Sequence, residues 1–285
     1  MNALISRAAA PIALAIAALL PLSAQAHRGW MLPSATVLSG NDPWVTVDAA
    51  ISNDLFYFEH NAMKLDGLLA FAPDGARATP ENLATGKYRS TFDLKLSQKG
   101  TYKLAMVNDN LMASWKVGGE NKRARGTAES LAKDIPANAE GLNVSRNQSR
   151  LEVFVTSGKP TDTVLKPTNQ GLELAPITHP NDLFAGDTAS FRFLLDGKPV
   201  AGMDVTVIPG GVRHRDALGE IKVRTDADGK FSIKWPSAGF YWLSATHGAT
   251  PRPAPGASAP AGPTGTLDRP LRRASYSATL EVLPQ

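Results

Sequence analysis

The chain has 285 residues, a formal net charge of +4 and no cysteine. The small surplus of Lys and Arg is not concentrated on one element with aromatic residues between, so nucleic-acid binding is not predicted. Without cysteine the protein has no disulfide, no thiolate ligand and no thiol nucleophile, and any metal site must use His nitrogen and carboxylate oxygen.

The first 26 residues have the three parts of a cleavable signal peptide. They are the basic start MNALISR, the apolar run AAAPIALAIAALL and the ending AQA. Such a segment would direct export of the protein to the periplasm. Its cleavage after Ala26 would make His27 the N-terminus. No later apolar run reaches the roughly 18 residues that a membrane helix needs, so no membrane span is predicted.

Most of the remaining chain alternates between apolar and polar residues with the period of a β-strand. Examples are WVTVDAAI (44–51), YRSTFDLKL (88–96), TYKLAMV (101–107), LMASWKV (111–117) and RLEVFVTSG (150–158). The pattern predicts an all-β protein of two tandem antiparallel β-sandwich domains. The second half, with DGKPVAG, TDADGKF and AGFYWL, also resembles Ig-like and carboxypeptidase-regulatory-like modules. We place the N-terminal domain at 27–160, a Pro-containing linker at 161–171 and the C-terminal domain at 172–285.

Three segments break the alternation. GTAESLAKDIPANAE (126–140) predicts one short helix that begins after an N-cap at Thr127 and stops at Pro136. KVGGENKRAR (116–125) predicts a solvated loop. The Pro-, Gly- and Ala-rich stretch within 248–270 predicts a disordered loop of the second domain.

Several segments together resemble one known family: AHRGWMLPS after a signal peptide, SNDLFYFEH (52–60), GLELAPITHPNDL (171–183), TDADGKFSIKWPSAGFYWL (225–243) and YSATLEV (276–282). They are similar to the DUF4198 family of exported bacterial proteins, which are described as similar to periplasmic components of cobalt and nickel uptake systems. The resemblance implies a periplasmic binding protein for a divalent transition metal, with nickel or cobalt favoured and copper or zinc as alternatives. Its implied partner is a membrane metal-uptake system.

The histidines are the candidate metal ligands. An N-terminal His27 would offer an α-amine and an imidazole on one residue, so it could chelate a metal by itself. His60 ends LFYFEH, where a strand would place Phe56, Phe58 and His60 on one face. The flanking carboxylates Asp54 and Glu59 could act as a ligand or as acceptors for an imidazole N–H.

Two further histidines are less specific candidates. His179 lies in THPND near the linker, and His247 ends YWLSATH before the Pro-rich stretch. Each also fits an ordinary turn or surface-loop residue, which the local sequence favours. His214 stands between two arginines, whose charge disfavours a bound cation, and is excluded from the predicted ligand set.

No nucleophile elbow, zinc-protease, phosphate-loop or dinucleotide motif occurs, so a non-enzymatic protein is predicted. Two alternatives stay open. One is a structural or adhesion module of Ig-like domains without a metal. The other is a copper-dependent oxidative enzyme in which the N-terminal histidine and a second histidine hold the copper.

Overall fold

The computed structural model describes residues 27–248 and 264–285. The predicted signal peptide and most of the predicted disordered loop, residues 249–263, lie outside the described residues. Among the residues that are described, no helix has the length and apolar character required to cross a membrane.

The described chain is built almost entirely of strands, with one α-helix, α1 (Ala128–Asp134), and 3-10 turns at Thr163–Leu165 and Val212–His214. The strands are β1 (Arg28–Pro33), β2 (Val37–Leu38), β3 (Trp44–Ser52), β4 (Asn61–Ala62), β5 (Leu68–Phe71), β6 (Arg77–Ala78), β7 (Glu81–Thr85), β8 (Ser90–Lys95), β9 (Gly100–Val117), β10 (Glu120–Gly126), β11 (Glu140–Ser157), β12 (Leu172–Pro176), β13 (Thr188–Leu195), β14 (Lys198–Pro199), β15 (Asp204–Pro209), β16 (Ile221–Arg224), β17 (Lys230–Lys234), β18 (Gly239–His247) and β19 (Leu271–Val282).

The strands form three sheets. A ten-stranded sheet has the order β16-β15-β18-β19-β11-β9-β5-β6, with β10 added to β9 and β2 to β11. A five-stranded sheet (β1-β3-β8-β7, with β4 on β3) packs on one part of it, and a four-stranded sheet (β12-β13-β14, with β17 on β13) packs on another. The predicted all-β sandwich architecture is confirmed.

The two hydrophobic cores lie on opposite faces of the ten-stranded sheet. The core under the five-stranded sheet includes Leu151 of β11, and the core under the four-stranded sheet includes Tyr276 of β19. In the register of these two strands Leu151 is paired with Ser277, so Leu151 and Tyr276 point to opposite faces. The five-stranded sheet therefore covers one face of the long sheet and the four-stranded sheet covers the other.

The joint between the two halves differs from the predicted purely antiparallel, tandem arrangement. Strand β11 pairs in parallel with β19 over nine residues, from Ser145 opposite Leu271 to Val153 opposite Thr279. One hydrogen-bonded sheet thus runs through both halves. Local alternation cannot reveal such a pairing, because the two strands are separated by more than 100 residues of sequence.

Other local predictions had mixed outcomes. Thr127 caps α1 as predicted, with its side chain accepting from Ser130 N at 3.3 Å. The predicted strands 101–107 and 111–117 are one strand, β9, because β11 supplies hydrogen-bonding partners through the polar residues between them.

The basic run 116–125 was wrongly predicted as a loop. It forms the hairpin of β9 and β10, whose turn residues Gly118 and Gly119 have φ of 58° and 83°, as expected for a turn with both central residues in the left-handed region.

The described part of the predicted disordered loop, 264–270, is held against β11. Gly265 O accepts from Val144 N at 2.9 Å, and Gly265 N donates to Asn143 Oδ1 at 2.9 Å. Leu267 packs against the small cluster around Trp115. These contacts hold residues 264–270 in place, although the Pro- and Gly-rich composition of the stretch predicts a disordered loop.

A buried cluster of charges lies where the two halves meet. Arg150 donates to Glu152 Oε1 at 3.1 Å and lies 3.6 Å from Glu173 Oε1, and Lys103 Nζ lies 4.0 Å from Glu152 Oε1. Burial, followed by the charge of Glu152, raises the pKa of Tyr276 well above its usual value, so its hydroxyl stays protonated and donates to Glu152 Oε2 at 2.8 Å. The cluster links β9 and β11 to β12 and β19.

Candidate functional site

Strand β1 is fixed by an aromatic cluster at the junction of the two halves. Trp30 is fully buried, its ring packs against Phe56 and Phe58 with centroid distances of 5.5 Å each, and its Nε1 donates to Ser52 Oγ at 2.7 Å. Trp242 of β18 donates from Nε1 to Gly29 O at 3.1 Å. These contacts hold the first described residues against the loop that follows β3.

The segment that carries His60 is a compact turn and not a strand, so the predicted common face of Phe56, Phe58 and His60 is wrong. Phe56 has a φ of 62°, which turns the chain at this point. Glu59 Oε1 accepts from the backbone N–H groups of Asn53 and Asp54 at 2.8 Å each and so closes the turn. The alternation of residues predicted a strand here. The packing of the aromatic rings and the hydrogen bonds of Glu59 form a turn instead.

The turn places His60 directly beside His27. Their ring centroids are 3.6 Å apart and their planes differ by 9°, so the imidazoles are stacked. Both residues are exposed. Two of the four predicted ligands are therefore neighbours, although 33 positions separate them in the sequence.

The carboxylates that flank His60 have other partners. Glu59 is engaged with the backbone of its own turn, and Asp54 lies 3.8 Å from Arg213 Nη1. In the described ranges, no group of three or more His, Asp or Glu side chains is placed to hold one metal ion. The side chains at this position thus provide a two-histidine pair.

The two rings are close together, but stacked rings are not oriented to share a metal. Two imidazole nitrogens bound to one metal at about 2.0–2.1 Å each lie at most about 4 Å apart, so the ligating nitrogens themselves must come within this distance. Lone pairs lie in the ring planes, so stacked rings direct them along parallel planes. One ring must rotate about its side-chain torsions for both to face the same ion, and the exposure of both residues permits this.

His179 is placed differently, in the contact between β9 and the turn after β12. Its Nδ1 accepts from Asn181 N at 3.1 Å, so the proton lies on Nε2, which is 3.0 Å from Thr101 Oγ1 and donates to it. Burial lowers the pKa of His179, against smaller opposing effects from Thr161, Asp162 and Asp182. Both ring nitrogens already have partners within the protein.

The lowered pKa of His179 predicts a pH-dependent stability. In the unfolded chain a histidine takes up a proton near pH 6.5, whereas folded His179 stays neutral to lower pH. The free energy of unfolding should therefore fall as the pH drops below about 6.5, and the fall should be smaller in His179→Gln. Urea unfolding between pH 7.5 and 5.0 measures it, with His214→Gln as the control that should retain the wild-type slope. Equal slopes for wild type and His179→Gln would contradict the role of this residue.

The remaining two histidines lie elsewhere on the surface. His247 ends β18, paired with Ala274, and borders a depression formed with the turn that follows β13. His214 lies in the 3-10 turn Val212–His214.

A cleft that was not predicted from the sequence begins at His27. It has a volume of about 1080 Å³ and lies on the face of the ten-stranded sheet that also bears the five-stranded sheet. Its floor consists of alternate residues from four adjacent strands: Asn108 and Asn110 of β9, Asn147 and Ser149 of β11, Ser275 and Ser277 of β19, and Ser244 and Thr246 of β18. The signal for it in the sequence was the run of small polar residues at every second position of these strands.

Comparison with known proteins gives a family but no characterised relative. No curated protein matches the chain significantly. Similar solved structures include the D0-D1 domain of intimin (12% identity, 89% of this chain and 97% of that chain, TM-score 0.21) and a DUF4785 family protein from Legionella pneumophila (8%, 75% and 50%, TM-score 0.22). A bacterial ice-binding adhesin is similar at 10% identity, with 91% and 98% coverage and a TM-score of 0.23. At these scores the likenesses carry no argument about function.

The family comparison covers much more of the sequence. Residues 24–249 match the family described as a domain of unknown function, DUF4198. This range includes His27, the turn that carries His60, and most of the strands that form the cleft floor. Because the match extends over well more than half of the chain, the protein belongs to the DUF4198 family.

Proposed function

We propose that the protein is exported to the periplasm, begins at His27 and binds a divalent transition metal without catalysing a reaction. The observation that supports this is the contact of His27 with His60, with ring centroids 3.6 Å apart. Cleavage after Ala26 would add the α-amine of His27 as a third nitrogen donor. Nitrogen donors of this kind suit Ni(II), Co(II), Cu(II) and Zn(II), and the family resemblance favours nickel or cobalt for a role beside a membrane metal-uptake system.

In this proposal His27 and His60 are the protein's ligands. The α-amine and the ring of His27 would chelate the ion, and His60 would complete the set after one ring rotates. His179 and His247 are left out of the proposed site, because His179 has hydrogen-bonding partners for both ring nitrogens and His247 borders a different depression.

The test uses the N-terminus itself. Calorimetric titration of metal-free protein beginning at His27 with Ni(II), Co(II), Cu(II) and Zn(II) should show one tight site for at least one metal. One extra residue before His27 turns the amine into an amide, and His60→Ala removes the second ring. Each change should weaken binding by at least about tenfold, since even indirect partners of metal ligands cost about 10–100-fold when lost.

The control for this titration is His214→Ala, which should bind metal as the wild type does. If none of the four metals binds tightly, or if the extended and His60→Ala proteins bind as tightly as the wild type, the proposed site is wrong. The structural or adhesion module would then be the better proposal. Ascorbate-dependent oxygen consumption by the copper-loaded protein would instead favour the oxidative enzyme.

A further inference from the structure

The floor of the cleft is polar, although the same face of the ten-stranded sheet carries a hydrophobic core farther along β11. Four neighbouring strands present hydroxyl and amide side chains in register: Asn110 opposite Asn147, Asn108 opposite Ser149, Ser149 beside Ser275, and Ser244 opposite Ser277. With strands about 4.8 Å apart and alternate residues about 6.8 Å apart along a strand, this floor measures roughly 14 Å in each direction.

Most of these polar groups have no hydrogen-bonding partner among residues 27–248 and 264–285. Asn147 donates to Ser145 Oγ at 3.1 Å and Ser275 to Gln148 O at 3.4 Å. Within the described chain, the side chains of the other floor residues make no hydrogen bond. Each hydroxyl or amide can both donate and accept, so the floor can pair with a ligand whose own groups do both.

The walls of the cleft add positive charge. Arg28, Lys64 and Arg125 line it, against one carboxylate, Asp66. Among the described residues Lys64 and Arg125 form no ion pair, and Arg28 is held by a hydrogen bond to Asn53 O at 2.9 Å. Arg150 also borders the cleft, but its guanidinium is buried and paired with Glu152. The unneutralised charge favours an anionic ligand.

The floor also excludes a peptide added as an extra strand. The floor strands are paired on both sides within the sheet, so their backbone groups are used; the edge strands that border the cleft, β1 and β4, belong to its wall and not to its floor. Apolar side chains line the cleft beside this polar floor: Ile51, Ala62, Met63, Met106, Leu151 and the half-buried Trp242. A flat, polar floor with one aromatic residue and cationic walls fits a hydroxyl-rich, acidic ligand.

We propose that this cleft binds an oligosaccharide that carries carboxylate groups, with its hydroxyls on the Asn/Ser/Thr floor and its carboxylates at Arg125 and Lys64. The two halves of the protein form this site together, since β9 and β11 come from the first and β18 and β19 from the second. The proposal is independent of metal binding at His27 and His60.

The test is calorimetric titration of the purified protein in the presence of EDTA with trigalacturonic acid and with a neutral galactose trisaccharide. Trigalacturonic acid should bind at least about tenfold more tightly than the neutral sugar, because hydrogen bonds to charged groups are about twice as strong as neutral ones. Citrate is the small-anion comparison and should bind more weakly than trigalacturonic acid.

Matched variants locate the binding. Arg125→Gln and Ser149→Val should each weaken binding of trigalacturonic acid, Arg125→Gln by about tenfold. Arg123→Gln, on the same strand but outside the cleft, and Ser232→Val, on an exposed strand of the four-stranded sheet, should leave it unchanged. His60→Ala, which changes the proposed metal site but not the lining of the cleft, should also retain it, which separates this proposal from the metal site.

Four results would overturn the proposal. The first three are equal affinity for the acidic and neutral trisaccharides, citrate binding as tightly as trigalacturonic acid, and wild-type affinity in both Arg125→Gln and Ser149→Val. The fourth is that neither sugar binds at millimolar concentration.

Discussion

Replacing Trp30 by alanine is expected to lower the free energy of unfolding by about 3–5 kcal/mol. Trp30 is fully buried, packs against Phe56 and Phe58 and donates to Ser52 Oγ, so the change removes a large side chain from a position enclosed on all sides. Urea unfolding followed by circular dichroism measures the loss.

The same substitution should also separate the histidine pair, because Trp30 connects β1 to the turn that ends at His60. Nuclear Overhauser contacts between the rings of His27 and His60 should disappear in Trp30→Ala and persist in Trp30→Phe, which keeps an aromatic ring. Trp44→Ala is the control: Trp44 is 46% exposed on the outer side of β3 and its loss should cost about 1 kcal/mol or less. A Trp30→Ala protein as stable as Trp44→Ala would refute the cluster's role.

Glu152→Ala is expected to cost about 3–5 kcal/mol, because it removes a buried carboxylate that lies beside two buried cations. Arg150 would retain Glu173 at 3.6 Å, but Lys103 would lose the carboxylate at 4.0 Å and Tyr276 would lose its acceptor. Thermal and urea unfolding give the size of the effect.

The control for Glu152 is Asp109→Ala on the same sheet. Asp109 pairs with Arg146 on the surface, where the two side chains are 38% and 49% exposed, and such pairs contribute about 0–1 kcal/mol. If Glu152→Ala is no more destabilising than Asp109→Ala, the buried cluster does not hold the two halves together.

Local sequence patterns were enough to predict most of the strands, the short helix and the candidate histidines. Alternating residues identify strands because successive side chains of a strand point to opposite faces. A capping hydroxyl at Thr127 and a proline at Pro136 delimit the helix because each acts on the chain next to it. His27 and His60 stood out because their residue type and local context are visible without any partner.

The way in which these parts combine depends on contacts that are distant in the sequence. The parallel pairing of β11 with β19 and the cleft built on it depend on contacts between residues more than 100 positions apart, and the strand pattern does not encode which strands become neighbours. Glu59 could be read as a metal ligand until its carboxylate was found bonded to the backbone of its own turn. His179 could be read the same way until both of its nitrogens were found to be engaged. The physical reason is the same in each case: a buried polar group takes the nearest partner that the fold provides, and the sequence does not show what is near.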